Sequence, residues 1–240
     1  MKFLITGGQG VIGQRLTQLL KSEGHSVMVA DIKTGLGENE LSIDVTRFEE
    51  MWQLFEENDF DCVIHMAGEV GRMVGENRPN RMIYANVSGS LNLIQLCLKY
   101  SVKLAFLSTS EVYGDLGEVT ISEDLEESSF KPTNVYALSK LFAEQLIMHY
   151  SKNYGLDAIR IRPFMVYGPG EYPGHFRSAM ANFVSKALRG EKIIVHRGAI
   201  RSWTFVDDFI IGVYKACTNG NFKTCEPYNI GRDDPRRMED

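Results

Sequence analysis

The first two dozen residues carry the strongest constraint on this chain. Phe3-Leu4-Ile5-Thr6 is a short apolar run that opens into Gly7-Gly8-Gln9-Gly10-Val11-Ile12-Gly13, after which Ile12, Leu16, Leu19 and Leu20 recur at helical spacing through residue 22. The order is strand, glycine turn, helix. Glycines in such a turn reach positive φ and let an anion approach the backbone N–H groups at the helix N-terminus. A glycine pattern alone would be a weak sign, and a ligand-free Gly-rich turn is the plain alternative. With the strand before and the helix after, the segment has the context of a dinucleotide phosphate loop. Gly7, Gln9, Gly10, Val11, Ile12 and Gly13 are the expected cofactor contacts.

Short apolar runs then alternate with longer amphipathic stretches, the signature of βαβ units on a parallel sheet. Strands are predicted over 25–31, 62–65, 104–108, 158–162 and 193–195, with an extended piece at 41–43. Helices are predicted over 48–57, 82–100, 134–154, 176–188 and 207–218. Pro163 bars the strand before it from running on as helix. Residues 167–174, Tyr-Gly-Pro-Gly-Glu-Tyr-Pro-Gly, form a loop long enough to be functional. The 240 residues suffice for one large α/β domain with its own core, needing no disulfide or metal to fold.

Composition excludes several classes. With 44% hydrophobic and 24% charged residues the chain is an ordinary globular protein. A net charge of -5 gives no electrostatic reason to expect nucleic acid or an anionic membrane as partner. Cys62, Cys97, Cys217 and Cys225 lack C-x-x-C spacing and read as free thiols in a reducing compartment. No 18-residue apolar stretch occurs, and the opening run stops at Gly7, short of a signal sequence, so a cytoplasmic location is expected. Five scattered histidines give no metal-ligand spacing, and no metal is expected.

Two further features bear on chemistry. Asp31 closes the second strand 18 residues after Gly13, where a carboxylate accepts both adenosine-ribose hydroxyls and repels a 2′-phosphate. NAD is therefore favoured over NADP, a preference that Lys33 moderates. Asp44 and Val45 could meet the adenine, although Asp44 could equally cap the following helix. Tyr136 and Lys140 form Y-x-x-x-K on one helix face, an arrangement in which the ammonium is expected to lower the phenol's pKa toward neutrality. Alone this would be a solvated helix face. Beside the glycine loop and the hydroxyl-rich strand end Ser108-Thr109-Ser110-Glu111, it reads as an acid/base pair.

The ordered set T-G-G-Q-G-V-I-G at 6–13, H-M-A-G at 65–68, Asn86, S-T-S-E-V-Y-G at 108–114, Y-A-L-S-K at 136–140, R-P-F-M-V-Y-G-P-G at 162–170 and R-S-W-T-F-V-D-D at 201–208 resembles the extended short-chain dehydrogenase/reductases, in particular NAD-dependent nucleotide-sugar epimerases and dehydratases. The resemblance covers nearly the whole chain. It implies a Rossmann-type doubly wound parallel sheet with a small C-terminal substrate region. The cofactor domain would span 1–165, with 204–220 packing back on it, and residues 166–203 and 221–240 would form the partial substrate region. Tyr136 would be the general base, Lys140 the partner of the nicotinamide ribose, and Thr109 a hydrogen-bonding partner of the reacting hydroxyl. Met66, Ala67, Gly68, Asn86, Ser108 and Pro163 would line the cofactor. Arg72, Ser110, Met165 and Arg201 would face a nucleotide-diphosphate sugar, with Arg201 on the diphosphate. Helices 82–100 and 134–154 would pack against a twofold mate to form a homodimer through four helices.

Two departures limit what is carried over. Met165 stands where many relatives have a diphosphate-binding asparagine. The chain also ends nine residues after Gly231, whereas related enzymes continue, so the expectation is a chain cut short in its substrate half. The implied first step is common to the family: C4 of the sugar is oxidised to a ketone. The leading expectation is a 4-epimerase, which needs no further acid or base. Glu111 carries the alternatives, because Thr-Ser-Glu resembles certain 4,6-dehydratases and hexuronate decarboxylases. Ser110 lacks the second carboxylate of thymidine-diphosphate-glucose dehydratases, Y-A-L-S-K speaks against the decarboxylases, and Glu111 could be a mere surface carboxylate. A non-enzymatic nucleotide-binding protein would be expected to have lost Thr109, Tyr136 or Lys140, and this chain keeps all three.

Overall fold

The computed structural model describes all residues except 34–36, 38, 117–119, 175–177, 196, 197, 199, 239 and 240. The strands are β1 (Lys2–Thr6), β2 (Ser26–Asp31), β3 (Glu40–Ser42), β4 (Cys62–His65), β5 (Lys103–Leu107), β6 (Ala158–Pro163), β7 (Val166–Tyr167), β8 (Ile200–Arg201), β9 (Thr204–Phe205), β10 (Pro227–Ile230) and β11 (Arg236–Arg237). The helices are α1 (Val11–Ser22), α2 (Phe48–Glu56), α3 (Arg72–Asn77), α4 (Pro79–Ile83), α5 (Gly89–Tyr100), α6 (Val135–Tyr154), α7 (Ala179–Leu188) and α8 (Val206–Asn219).

Seven strands pair in the order β10-β6-β5-β4-β1-β2-β3, all parallel. Alternate side chains of each strand feed two cores. Leu4, Val63, Leu104 and Phe106 pack with α2, α5 and α6 on one face, while Phe3, Ile5, Ile64 and Ile161 pack with α1 and α8 on the other. Burial on both faces is why the strands read as continuous apolar runs. The chain leaves β1 toward β2 and β3, then crosses back to β4, so the strand order reverses between β1 and β4. In register, Thr6 stands beside His65 and His65 beside Phe106. Their carboxyl ends therefore open on one crevice at the switch point, where open α/β sheets bind ligands.

Several elements differ from the sequence expectation. Residues 193–195 form no strand: Ile194 is exposed, and no neighbouring edge offers these β-branched residues a ladder partner among the described residues. Residues 227–230, expected in the substrate region, instead add β10 to the central sheet. Its Pro227 is tolerated as the first residue of an edge strand. The loop after β4 contains the short helix α3. The helix expected over 82–100 starts at Pro79 and is broken by a π turn at Tyr84–Ser88 between α4 and α5. The helix expected over 176–188 is seen as Ala179–Leu188, capped by Ser178 through the Ala181 N–H; residues 176 and 177 lie outside the described residues. None of its side chains is buried. No described helix is long and apolar enough to cross a membrane.

Candidate active site

The glycine loop meets the backbone of the strand beside it. Gly7 takes φ +73°, and a Cβ there would stand 2.7 Å from the Ala67 nitrogen. A Cβ on Gly13 would fall 2.5 Å from the Gly8 Cα, so only glycine lets α1 sit this close to the loop. Gly10 is the N-cap of α1 and has no side chain to satisfy the first helical N–H groups, which leaves those of Val11 and Ile12 for an anion. At the end of β2, Asp31 Oδ2 accepts from the Gln9 N–H (3.0 Å) and Oδ1 from the Lys33 N–H (3.0 Å). These bonds fix the carboxylate, and each oxygen keeps lone-pair capacity for a ribose hydroxyl.

Two further expected cofactor residues, Asp44 and Val45, also take part in local structure. Asp44 Oδ1 accepts from the Thr46 N–H (2.9 Å) and hydroxyl (2.8 Å), a turn leading into α2, whose N-cap is Arg47. Val45 turns its side chain into the core, against Gly89.

On the other side of the crevice, Asn134 caps α6 through the Ala137 N–H (2.9 Å) and so places Tyr136 in the first turn. Tyr136 is buried, and its phenol faces Thr109, two residues beyond the end of β5. Burial pushes its phenol above the ordinary range, Thr109 pulls it down, and the Glu111 charge pushes it up. The expected lowering by Lys140 is not found, because the ammonium is engaged elsewhere. Lys140 Nζ donates to the Leu107 carbonyl (2.9 Å) and lies 4.8 Å from the Phe106 ring centroid. Only 3% exposed, Lys140 is pulled by burial from 10.5 down to about 8, against the opposing charge of Glu144.

Glu111 is not a surface carboxylate. Its side chain is 23% exposed, and Oε2 accepts from Arg72 Nε (2.8 Å) and Asn134 Nδ2 (2.8 Å). Arg72 lies at the start of α3. The same carboxylate acts on the Tyr136 phenol, so Thr109, Glu111 and Tyr136 come together, with Lys140 one helical turn from Tyr136. Ser108 Oγ is buried and has no hydrogen-bond partner among the described residues.

The remaining expected residues are less tightly tied. Pro163 ends β6, and Met66 follows β4 with its N–H on the Thr6 carbonyl. Gly68 lies so close to Asn86 that a Cβ would approach its Oδ1 to 2.5 Å. Ser110 opens the short turn after Thr109. Met165 takes φ +35°, a left-handed conformation that asparagine tolerates better than methionine. Arg201 Nη1 donates to its neighbour's carbonyl on Ile200 (2.7 Å).

Sequence reasoning passed over the scaffold that holds α6. Glu144, one turn beyond Lys140, accepts from Arg162 Nε (3.0 Å) and Arg160 Nη1 (3.0 Å), and Arg162 Nη1 donates to the Tyr113 hydroxyl (3.0 Å). Arg160 also pairs with Glu127. The R-I-R alternation of β6 was the signal, since it puts two arginines on one face. For His65 the H-M-A-G motif gives no signal beyond its place at the end of β4.

The chain matches the NAD dependent epimerase/dehydratase family over residues 3–231. It belongs to that family. It is 31% identical to the UDP-N-acetyl-alpha-D-glucosaminuronate decarboxylase of Bacillus cytotoxicus over 99% of this chain and 77% of that protein. It is 29% identical to dTDP-glucose 4,6-dehydratase 1 of Escherichia coli over 96% of this chain and 72% of that protein. The structure of Thermus thermophilus UDP-glucose 4-epimerase in complex with NAD superposes with a TM-score of 0.85 at 28% identity, covering 99% of this chain and 80% of that one. The chain is thus an extended short-chain dehydrogenase/reductase and an NAD-dependent enzyme of the epimerase/dehydratase type. The open N-terminus of α1, Asp31 and the orphaned Ser108 hydroxyl fit that cofactor.

Proposed function

We propose that this enzyme oxidises C4 of a sugar carried on a nucleoside diphosphate and then removes water across C5 and C6. The observation that carries this reading is the Glu111 carboxylate, held by Arg72 and Asn134 beside the Thr109–Tyr136 pair. NAD, when bound, supplies the hydride acceptor at C4 and later the donor at C6. The phenolate form of Tyr136, whose share grows with pH because burial raises the phenol, takes the C4 hydroxyl proton while Thr109 hydrogen-bonds the same oxygen. Lys140 holds the nicotinamide ribose. The ketone acidifies C5–H; Glu111 takes that proton and passes it to the C6 hydroxyl, which leaves as water. The hydride taken from C4 would return at C6 while Tyr136 gives its proton to C5, completing a 4-keto-6-deoxy sugar. Arg201 is proposed for the diphosphate, and Ser110 and Met165 for the sugar side. The cofactor part is assigned to residues 1–165 with 204–220, and the substrate part to 166–203.

A 4-epimerase is the second reading. It is favoured by Ser110, which offers no acid to the leaving hydroxyl, and by the likeness to UDP-glucose 4-epimerase. Incubation with NAD and, in turn, UDP-glucose, dTDP-glucose, GDP-mannose and UDP-glucuronate separates the readings. A 4-keto-6-deoxy product supports dehydration, a C4 epimer supports the second reading, and carbon dioxide from UDP-glucuronate indicates the decarboxylase branch. Full turnover by Tyr136→Phe would sink all three.

The homodimer is proposed on the exposed side chains of the two expected helices. Leu138 and Phe142 of α6 are 50% and 54% exposed, and Ile83 and Tyr84 are also exposed, at the end of α4 and the start of the π turn. Sedimentation as a monomer at micromolar concentration would reject it. The four buried free cysteines support a reducing compartment, the cytoplasm.

A further inference from the structure

His65 lies at the end of β4, fully within the protein, between two elements of the site that are distant in sequence. Its Nδ1 is 2.7 Å from Thr6 Oγ1, and its Nε2 is 3.0 Å from Ser90 Oγ. The neighbours of those hydroxyls decide which nitrogen carries the proton. Ser90 spends its hydrogen on the Asn86 carbonyl (2.6 Å), so toward His65 it can only accept. Nε2 is therefore the donor. Nδ1 is then bare and accepts the Thr6 hydroxyl hydrogen, while Thr6 Oγ1 itself accepts from the Ala67 N–H (3.3 Å). Every bond runs in one direction, from Ala67 through Thr6, His65 and Ser90 to Asn86.

The ends of this chain of bonds are the walls of the site. Thr6 immediately precedes Gly7, and Ala67 is the backbone against which Gly7 packs. Asn86 clamps Glu69 through both its N–H (2.8 Å) and its carbonyl (3.0 Å), and donates to Ser139 Oγ (2.9 Å). Ser139 in turn donates to the Tyr136 carbonyl (2.7 Å). An imidazolium would point a second N–H at Thr6 Oγ1, beside that of Ala67, and strip the threonine hydrogen of its acceptor. Burial, with the Lys140 charge, keeps the ring neutral, lowering it to about 3.

We propose that His65 is a positioning residue, locked as the Nε2–H tautomer, which sets the glycine loop and the Ala67–Glu69 backbone in register with the helix that carries Tyr136. It touches neither cofactor nor substrate and acts through Thr6 and Ser90.

The test uses the full chain labelled with 15N-histidine, the His65 signals being assigned by their loss in His65→Gln. The expected spectrum shows a protonated Nε2 and an unprotonated Nδ1 at neutral pH, unchanged down to about pH 5, below the ordinary histidine range. A protonated Nδ1, or ordinary titration near neutrality, would overturn the proposal. Binding of NAD alone is the second readout. His65→Phe keeps the ring but loses both bonds, and NAD affinity is expected to fall about tenfold, the size of one buried hydrogen bond. His65→Gln keeps a donor toward Ser90 and is expected to recover part of that loss. Unchanged NAD affinity in a folded His65→Phe protein would also overturn it. Should that variant not fold, the wild-type spectrum and the NAD affinity of His65→Gln decide.

Discussion

Lys140 is buried at a cost in stability, and the cost can be worked out. In the unfolded chain its ammonium ionises at 10.5, and in the folded protein burial brings it down to about 8. Between those two values the unfolded state binds more protons than the folded one, so stability rises with pH through that window. Below about pH 8 the full penalty is present, about 3 kcal/mol for a gap of this width. Lys140→Met keeps the apolar stem and removes the charge, while depriving the Leu107 carbonyl of its donor at a loss of about 1 kcal/mol. The variant should therefore be more stable than the natural protein by about 2 kcal/mol at pH 7, or about 4 °C for a chain of this length. That advantage should shrink as the pH approaches 10. Urea unfolding of both proteins, without cofactor, at pH 7, 8, 9 and 10 measures it. A variant less stable at pH 7, or a difference that does not change with pH, would refute the reasoning.

Other residues give independent tests. Glu111→Gln removes the charge that raises the Tyr136 phenol, so the alkaline rise of C4 oxidation should move to lower pH while loss of water from the sugar stops; NADH absorbance and product analysis report the two effects. Met165→Asn relieves a left-handed methionine and should stabilise the protein by about 1 kcal/mol, read as a higher melting temperature. Arg162→Met leaves buried Glu144 with Arg160 as its remaining strand partner and should cost about 3–5 kcal/mol in urea unfolding, whereas Arg47→Met, at the exposed Arg47–Glu50 pair, should leave the urea midpoint essentially unchanged.

Local sequence determined the outline of this protein. The change from strand to helical period across Gly7–Gly13 reports a backbone turn whose conformation depends on residues a few places apart. The apolar faces of α1, α5 and α6, and the Asn134 cap of α6, are local in the same way. Tyr136 and Lys140 were legible because four residues make one helical turn. Their electrostatics were not, since the state of the phenol is set first by its burial and then by Thr109 and Glu111, and the ammonium turns to the carbonyl of Leu107, some thirty residues away in the chain. Strand 227–230 escaped because four residues ending at an edge carry no periodicity of their own and are defined by β6 beside them. The run 193–195 misled for the opposite reason: β-branched residues favour a strand, but a strand exists only where another edge offers hydrogen bonds. Only the tertiary structure could lift Glu111 from the surface into the site, by bringing Arg72 and Asn134 to it from two separate elements. It alone decides the tautomer of His65, because a proton's place on that ring is set by the hydroxyls of Thr6 and Ser90, which sequence does not bring together.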